Sequence, residues 1–290
     1  MRLALIGVGL IGASAAWAMK RGSVFETVSA FDLSAQSARK AVEMGIADTA
    51  ADTLEDCVQG ADAVLVAVPV LAIEKVMAQI EPFLRGETLV TDVGSVRGVV
   101  IEGARRALKE KFVNYAPVHP IAGGEMPGVD YADADLFVGA KAISTPVADI
   151  GDRAVQFWEN AWTTAGSDLL RMTPEEHDAV FASVSHLPHL LSYAMVDSIL
   201  NTGSAERKLS LAGAGFRDFT RIAASSPEMW VDIFRANKKA VLEALSYFEK
   251  DLALLRQAVE NDEVEVTRAI FARAAEARRR IAPHLPPKRK

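Results

Sequence analysis

The sequence has little of what identifies secreted, thiolate-metal or nucleic-acid-binding proteins. Its 290 residues contain one cysteine, Cys57, which excludes an intramolecular disulfide and a metal cage built from several thiolates. Lysine and arginine number 32 against 38 acidic residues, and the net charge of −6 argues against a broad surface for nucleic acid or anionic lipid. The basic clusters at 278–280 and 288–290 are short, and we expect them to be a solvated helix end and tail.

Long apolar runs are also missing from the sequence. No run approaches the roughly 20 apolar residues that a membrane-spanning helix needs. The chain enters a predicted strand at Arg2, which leaves no room for a signal peptide. These absences predict a cytoplasmic protein with neither a membrane nor nucleic acid as a partner. Half of the residues are hydrophobic, and 290 residues are sufficient for two domains with separate cores.

A glycine motif near the N-terminus is the strongest signal that the sequence contains. A short apolar run precedes Gly7, Gly9 and Gly12, whose G-x-G-x-x-G spacing leads into a predicted helix at 11–21. A second short run ends in Asp32, twenty residues after the last glycine. In a dinucleotide site the first glycine permits a tight turn, the second lets a pyrophosphate approach, and the third lets helix and strand pack closely.

The surroundings of this motif favour NAD over NADP. The pyrophosphate is expected over the helix N-terminus at Leu10 and Ile11, where free N–H groups and the helix dipole favour negative charge. Asp32 can accept hydrogen bonds from the ribose hydroxyls and would repel a 2′-phosphate. Val68 and Pro69, at the end of a later apolar strand, are expected to line the same cofactor site. The alternative is a unit of this type that is vestigial or binds another ligand.

Strands alternate with helices as far as Met172. Such alternation indicates an α/β fold, a Rossmann-type doubly wound parallel sheet. After the first two strands, the pattern predicts strands at 63–68, 88–93, 112–118, 141–144 and 168–172, and helices at 35–44, 71–84, 98–111 and 148–165.

From Thr173 onward the pattern is helical. Thr173 and Glu176 form a capping box for a helix that runs from Pro174 to about residue 200 and bends at Pro188. A glycine-rich segment at 211–222 and two further helices follow. The first, about thirty residues from Pro227, would be roughly 45 Å long. The second is predicted at 263–281.

Two domains are therefore predicted: residues 1–172 bind the dinucleotide, and residues 173–290 form a helical substrate and dimerisation domain. The long helix would be longer than a domain of this size, so we expect the second subunit of a homodimer to cover its apolar stripe.

Two polar residues are expected where ligands bind, beyond the carboxyl ends of the strands. Ser95 and His119 end two predicted strands, so both could face the nicotinamide. Oxidising a hydroxyl by hydride transfer requires removal of its proton, and histidine suits that task at neutral pH. The alternatives are a loop histidine bonded to backbone and an ordinary turn serine.

The helical domain contains a second polar group of residues. His186 and His189 are three residues apart on one helical face, and His177 is nearby in sequence. No H-E-x-x-H spacing or thiol accompanies them, so no metal site is predicted. Arg217 and Arg221 lie among glycines and aromatics, where an arginine fork could bind a substrate carboxylate. The alternative is a structural ion pair, for example of Arg217 with Asp218 or Glu125.

Five motifs are spread over nearly the whole chain. They are Gly7-Val8-Gly9-Leu10-Ile11-Gly12, Asp92-Val93-Gly94-Ser95-Val96, His119-Pro120-Ile121-Ala122-Gly123, Ser185-His186-Leu187-Pro188-His189 and Gly215-Phe216-Arg217-Asp218-Phe219-Thr220-Arg221-Ile222-Ala223. Together they resemble the prephenate/arogenate (cyclohexadienyl) dehydrogenase family of tyrosine biosynthesis. The resemblance implies NAD-dependent oxidative decarboxylation, in which a cyclohexadienyl ring loses hydride and a hydroxyl proton at C4, loses carbon dioxide, and becomes aromatic.

The resemblance also implies roles for individual residues. His119 would accept the hydrogen bond of the C4 hydroxyl, Ser95 would orient both groups, and Arg221 would hold a substrate carboxylate. His189 would line the substrate pocket. The remaining roles concern the mouth of the pocket, where an ionic gate would be formed by Glu125, Arg217 and Asp218.

The chain departs from the family pattern at two positions. Arg217 stands where some members have lysine, and Gly124, a substrate-site position, stands where many have a side chain, often threonine. The expected span is from the first strand of the sheet to the last helix, without a chorismate mutase or ACT domain.

Two other functions are compatible with parts of this pattern. A 3-hydroxyacid-type dehydrogenase would place a catalytic lysine on the first long helix of its second domain, and residues 174–200 contain none. A non-catalytic NAD-sensing dimer would bind the cofactor without producing NADH.

Overall fold

A computed structural model of the chain describes residues 1–124 and 126–282. The chain forms two compact units, Met1–Lys238 and Lys239–Lys290. The first unit contains the sheet, the helices that cover it, and the helical segment that follows.

One sheet organises the first unit. Its strands are β1 (Arg2–Ile6), β2 (Thr27–Phe31), β3 (Thr49–Ala50), β4 (Ala63–Val66), β5 (Leu89–Asp92), β6 (Tyr115–Ile121), β7 (Lys141–Ser144) and β8 (Asp168–Arg171). Their order across the sheet is β3-β2-β1-β4-β5-β6-β7-β8. Because the chain leaves β3 on one side of β1 and continues through β4 on the other, the strand order reverses beside β1, as in a doubly wound dinucleotide-binding sheet. The predicted fold class is confirmed.

The β6–β7 pair departs from the predicted parallel sheet. All pairs from β3 through β6 are parallel, whereas β7 runs antiparallel to β6 and parallel to β8. A parallel return needs a crossover of a dozen or more residues, usually a helix. The described part of the β6–β7 connection has only a short 3₁₀ turn at Val129–Tyr131, whereas a long helix joins β7 to β8. The connections therefore account for the change of direction.

Helices cover both faces of the sheet. They are α1 (Leu10–Arg21), α2 (Ala35–Glu43), α3 (Leu54–Val58), α4 (Ile73–Ile80), α5 (Gly98–Leu108) and α6 (Asp152–Thr164). Side chains alternate across the sheet, so Leu3 and Leu5 enter one apolar core while Ala4 and Ile6 enter the other. β4 is buried along its whole length, which explains why its sequence is continuously apolar.

The helical segment of the first unit contains α7 (Pro174–Phe181), α8 (Leu187–Leu200), α9 (Ala205–Ser210), α10 (Ala214–Thr220) and α11 (Pro227–Ala236). Thr173 caps α7, since its side chain accepts a hydrogen bond from the backbone N–H of Glu176 at 3.1 Å. The glycine-rich segment predicted to separate two helices instead contains α10, and α9 lies just before it. Glycine lowers helix propensity, but the aromatic and apolar neighbours provide a face that packs against α8.

The predicted bend at Pro188 takes the form of a π-helical turn. Residues Ala182–His186 adopt the wider helix between α7 and α8, which ends two residues before the proline. Proline has no N–H to donate and clashes with the preceding turn, so the backbone widens there. π-turns of this kind are frequent at functional sites.

The helix predicted to run for thirty residues from Pro227 is interrupted at Asn237. This residue has a non-helical backbone (φ −108°, ψ 29°) between α11 and α12 (Lys238–Glu260). Its buried side chain donates a hydrogen bond to the backbone carbonyl of Asp178 at 2.8 Å. A tertiary contact therefore fixes the break, and periodicity alone could not indicate it.

The second unit contains α12, apart from its first residue, and α13 (Val264–Ile281). At about 1.5 Å per residue, α12 is roughly 35 Å long. Large apolar side chains are exposed along both helices, which is unusual for a surface that stays in water. They are Leu242, Tyr247, Leu252, Leu254, Val259, Val264, Val266, Phe271 and Ile281.

One helical segment, Pro174–Leu200, is long and apolar enough to cross a membrane by length and composition. The prediction that no run reaches this length is therefore wrong for this segment. Core helices of soluble proteins meet the same criterion, so the finding does not by itself indicate a membrane protein. The segment also carries His177 and His186, both buried within the fold.

Candidate active site

The glycine loop between β1 and α1 has the shape that a dinucleotide requires. Gly7 has φ +93°, and a Cβ there would lie 2.3 Å from the carbonyl oxygen of Ala67. A Cβ at Gly12 would lie 2.3 Å from the Gly7 carbonyl oxygen, whereas one at Gly9 would meet nothing within 4 Å. The first and third glycines are therefore needed for the turn and for packing, and the second faces open space where a pyrophosphate can approach.

Helix α1 begins at this open space. Leu10 and Ile11 occupy its first turn, which has neither a side-chain cap nor an acidic residue. The exposed N–H groups and the positive end of the helix dipole are therefore available to an anion. These residues fit the pyrophosphate of NAD.

Asp32 follows β2 and is bound to the same loop. Its carboxylate accepts hydrogen bonds from the backbone N–H of Val8 at 2.7 Å and of Ser34 at 2.8 Å. Carboxylate oxygens have further lone pairs, so both ribose hydroxyls can still be accepted. Asp32 therefore holds the glycine loop in addition to its predicted role toward the ribose.

Val68 and Gly124 lie beside this loop. A Cβ at Gly7 would be 3.1 Å from Cγ1 of Val68, and a Cβ at Gly124 would be 3.1 Å from Cδ2 of Leu10. Val68 is half-buried and Pro69 is exposed, directly after β4. The predicted substrate-site glycine thus lies next to the predicted cofactor loop.

His119 lies inside β6, which continues for two residues to Ile121, so the prediction that His119 ends the strand is wrong by two residues. The parallel pairing of β6 with β5 ends where Pro117 faces Asp92, and β6 then continues, pairing with β7. His119 is therefore two residues beyond the carboxyl end of β5. The strand extends past its neighbour, so the imidazole still lies at the edge where ligands bind.

The imidazole of His119 contacts a second histidine that the sequence analysis did not place in the site. Its Nδ1 is 2.9 Å from Nε2 of His177, which is completely buried on α7. Nδ1 of His177 is in turn 2.9 Å from Oδ1 of Asp178. Phe181 packs against both rings, with centroids 5.0 Å from His119 and 4.4 Å from His177.

Burial and positive neighbours favour the neutral form of these histidines. Loss of hydration holds the pKa of His119 well below its usual value, and His177, Arg97 and His186 act in the same direction. Burial also lowers the pKa of His177, although its hydrogen bond to Asp178 opposes the shift. The imidazole of His119 is therefore neutral at neutral pH.

Ser95 lies in the loop that follows β5, at the same edge as His119. Within the described residues it makes no hydrogen bond to His119, and its side chain is half-buried. The loop itself is fixed: Nη1 of Arg97 donates to the carbonyl of Gly94 at 2.6 Å, and the Gly94 N–H donates to Asp92 at 2.6 Å. Ser95 therefore lies in a loop that these contacts fix, at the edge of the sheet where ligands are expected.

A buried ion pair fixes the loop that carries Ser95. Arg97 and Asp92 are fully buried and form two hydrogen bonds of 2.7 and 2.9 Å. Tyr115 donates its hydroxyl to the same carboxylate, and burial raises the pKa of this phenol. No sequence pattern indicated that Arg97 would be in the interior.

The predicted substrate residues on the helical segment lie close together. His189 on α8 stacks on Trp230, with ring centroids 3.6 Å apart, and its Nδ1 bonds the carbonyl of Ser185 at 2.8 Å. Arg221 begins a 3₁₀ turn that packs on α8, and its charge lowers the pKa of His189, although burial is the larger cause. Arg221 itself is exposed in the single chain.

The predicted ionic gate is represented in the structure by two of its three members. Arg217 and Asp218 on α10 are exposed, and their side chains form an ion pair at 3.6 Å. Glu125 lies outside the described residues. Within residues 1–124 and 126–282, no three His, Cys, Asp or Glu side chains form a metal-binding group.

Comparison with known proteins decides the family. The family model described as the prephenate dehydrogenase nucleotide-binding domain matches residues 15–170, and the one described as the prephenate dehydrogenase dimerization domain matches residues 173–273. The chain belongs to the prephenate dehydrogenase family. It is an NAD-dependent dehydrogenase of prephenate or arogenate, as the resemblance implied.

Relatives within this family match along most of the chain. The cyclohexadienyl dehydrogenase of Zymomonas mobilis is 35% identical over 95% of this chain and 94% of its own length. The prephenate dehydrogenase of Bacillus subtilis is 34% identical, covering 90% of this chain and 71% of its own. The crystal structure of prephenate dehydrogenase from Aquifex aeolicus with hydroxyphenyl propionate and NAD+ is 32% identical, with a TM-score of 0.91, and covers 97% and 98% of the two chains.

Proposed function

We propose that His119 is the base of an oxidative decarboxylation and takes the proton of the C4 hydroxyl of prephenate, arogenate or both. The observation that carries this proposal is the placement of His119, whose Nδ1 is engaged by His177 while its ring lies beyond the end of β5. The nitrogen left over, Nε2, is the one that can accept the hydroxyl proton. Its low pKa keeps it unprotonated at neutral pH.

The residues at the glycine loop would hold NAD so that it can supply the hydride acceptor. As C4 loses hydride and its hydroxyl loses a proton to His119, C4 becomes a carbonyl carbon. The C1–carboxylate bond breaks, its electron pair enters the ring, and carbon dioxide leaves. The C4 carbonyl oxygen receives this electron density through the ring as a phenolate and then takes a proton to give a phenol, which balances atoms and charge.

Ser95 and Arg221 would place the substrate for this step. Ser95 is at the same edge as His119 and can hydrogen-bond the C4 hydroxyl. Arg221 would hold a substrate carboxylate as a bidentate partner, and His189, stacked on Trp230, would line the pocket. Glu125, Arg217 and Asp218 would control entry as charged residues near its mouth.

The second unit supports a homodimer. Its helices expose apolar side chains such as Leu252, Val259 and Phe271, each at least half-exposed in the single chain. Burying such a surface against a second copy removes apolar area from water. We propose domains of 1–172 and 173–290, a homodimer formed through the second of them, and a cytoplasmic location.

The experiment that tests the proposed function follows NADH absorbance with NAD+ and either prephenate or arogenate as substrate. We expect NADH with at least one of them, and the ratio of their kcat/KM values defines the preference. Gly124 offers no side chain to the substrate, so a single contact elsewhere would decide between keto and amino forms. Cofactor binding without NADH from either substrate would contradict the proposal and favour a sensor.

A further inference from the structure

We propose that His177 and Asp178 are positioning residues that fix the tautomer of His119 and share the positive charge it acquires. This inference rests on the proposed function, because it assumes that His119 is the base. Asp178, His177 and His119 form a continuous line of contacts, each link 2.9 Å long.

The direction of the hydrogen bonds follows from Asp178. Its burial raises the pKa of the carboxyl, but hydrogen bonds from His177 and from the backbone N–H groups of Arg97 and Gly98 hold the pKa below its usual range. Asp178 is therefore ionised and can only accept. His177 must donate from Nδ1, so its Nε2 is an acceptor and receives the Nδ1–H of His119. His119 is left with an unprotonated Nε2, which is the tautomer that the reaction requires.

The line of contacts is anchored at both ends. The Asp178 carboxylate accepts from the N–H of Arg97 at 2.8 Å and of Gly98 at 2.9 Å, at the N-terminus of α5. The backbone carbonyl of Asp178 accepts from Asn237 at 2.8 Å. Phe181 packs against both imidazoles. Contacts from the start of α5 and from Asn237 at the end of α11 thus fix Asp178, and α7 carries His177 itself.

Among the charged groups near the Asp178–His177–His119 contacts, Asp178 is the one that can balance the positive charge of protonated His119. Arg97 lowers the pKa of both histidines, but its guanidinium is already paired with Asp92. His186 also faces His119 and is neutral, since burial lowers its pKa to about 4. When His119 takes a proton at Nε2, its Nδ1–H bond to His177 strengthens and part of the charge moves toward Asp178.

A pair of variants at His177 tests this inference. His177→Phe keeps a flat ring but has no acceptor for the Nδ1–H of His119, whereas His177→Gln can present its side-chain carbonyl oxygen. For His177→Phe we expect kcat to fall about 10- to 1,000-fold with an unchanged Kd for NAD+, and His177→Gln should recover about a tenth or more of the wild-type rate. The acid limb of the kcat/KM profile should also shift in His177→Phe, because His177 contacts the ring that takes the proton.

Nitrogen-15 NMR of His119 in the NAD-bound enzyme provides a readout that does not depend on turnover. Wild type and His177→Gln should show a protonated Nδ1 and a bare Nε2, and His177→Phe should show a mixture of tautomers. Folding of each variant is checked by circular dichroism and by NAD+ affinity. The inference is overturned if His177→Phe keeps the wild-type tautomer and pH profile, or if His177→Gln is no better than His177→Phe. If wild type makes no NADH while the tautomer changes as expected, the proposed function fails and the hydrogen-bond assignment stands.

Discussion

The buried pair of Arg97 and Asp92 supports the loop that carries Ser95, and removing one partner should be costly. In Arg97→Met the side chain keeps much of its volume, but the Asp92 carboxylate stays in the interior with only Tyr115 and the Gly94 N–H as partners. Leaving one charge of a buried pair uncompensated costs about 3–5 kcal/mol. For a chain of this size that corresponds to a decrease in Tm of roughly 6–20 °C.

The pH dependence of this loss distinguishes removal of a charge from simple loss of packing. Burial lowers the pKa of the histidines His119 and His177, and Arg97 acts in the same direction. A group whose folded-state pKa is depressed loses its contribution to stability as pH falls, and without Arg97 that loss is smaller. The stability difference between wild type and Arg97→Met should therefore shrink as pH falls from about 8 to about 5.

The assay is urea and thermal unfolding at several pH values, with two comparison variants. Arg106→Met removes an exposed pair with Glu74 and should change stability little. Arg97→Met combined with Asp92→Asn removes both charges and should recover part of the loss. The reasoning is refuted if Arg97→Met is as stable as Arg106→Met, or if its loss is the same at every pH.

Further predictions concern the cofactor and substrate residues. Gly9→Ala should weaken NAD+ binding but keep the wild-type Tm, since a Cβ there meets nothing within 4 Å. Gly12→Ala should lower Tm, because its Cβ would lie 2.3 Å from the Gly7 carbonyl oxygen. Equal Tm values for the two variants would contradict this contrast. Asp32→Asn should weaken NAD+ binding about 10-fold or more and reduce the preference for NAD+ over NADP+, since the amide cannot accept from both Val8 and Ser34. Calorimetric Kd values for both cofactors check this. An unchanged ratio of the two Kd values would count against the role of Asp32. Arg221→Ala should raise the KM for the substrate about 10- to 100-fold with NAD+ affinity unchanged, and an unchanged KM would indicate a structural ion pair instead.

The dinucleotide half of the fold was predictable because its signals are local. The glycine spacing, the apolar run of β4 and the position of Asp32 each depend on a few neighbouring residues, and the structure places all of them as expected. The antiparallel β6–β7 pair was missed because direction depends on how the connection folds, not on the strand's own pattern. The boundary of β6 was missed for a related reason: Pro117 and Pro120 lie inside a strand that changes partner along its length.

The contact between His119 and His177 could not be read from the sequence. The residues are 58 positions apart, and in the sequence analysis His177 was considered only as a neighbour in sequence of His186 and His189. The sequence did contain a local signal for the neighbouring contact of His177 with Asp178, because an Asp directly after a helical histidine can accept a hydrogen bond from its ring. Arg97 was missed because burial of a charge depends on a partner from another position, here Asp92 and Tyr115. The break at Asn237 likewise depends on a bond to Asp178.

The central claim is that His119 is the base, and its replacement by asparagine tests this most directly. His119→Asn should lower kcat about 10²- to 10⁴-fold while the Kd for NAD+ and the KM for the substrate change little. In wild type, kcat/KM should stay level as pH falls to about 6, because the pKa of His119 is held well below its usual value. A His119→Asn enzyme with wild-type kcat would contradict the account.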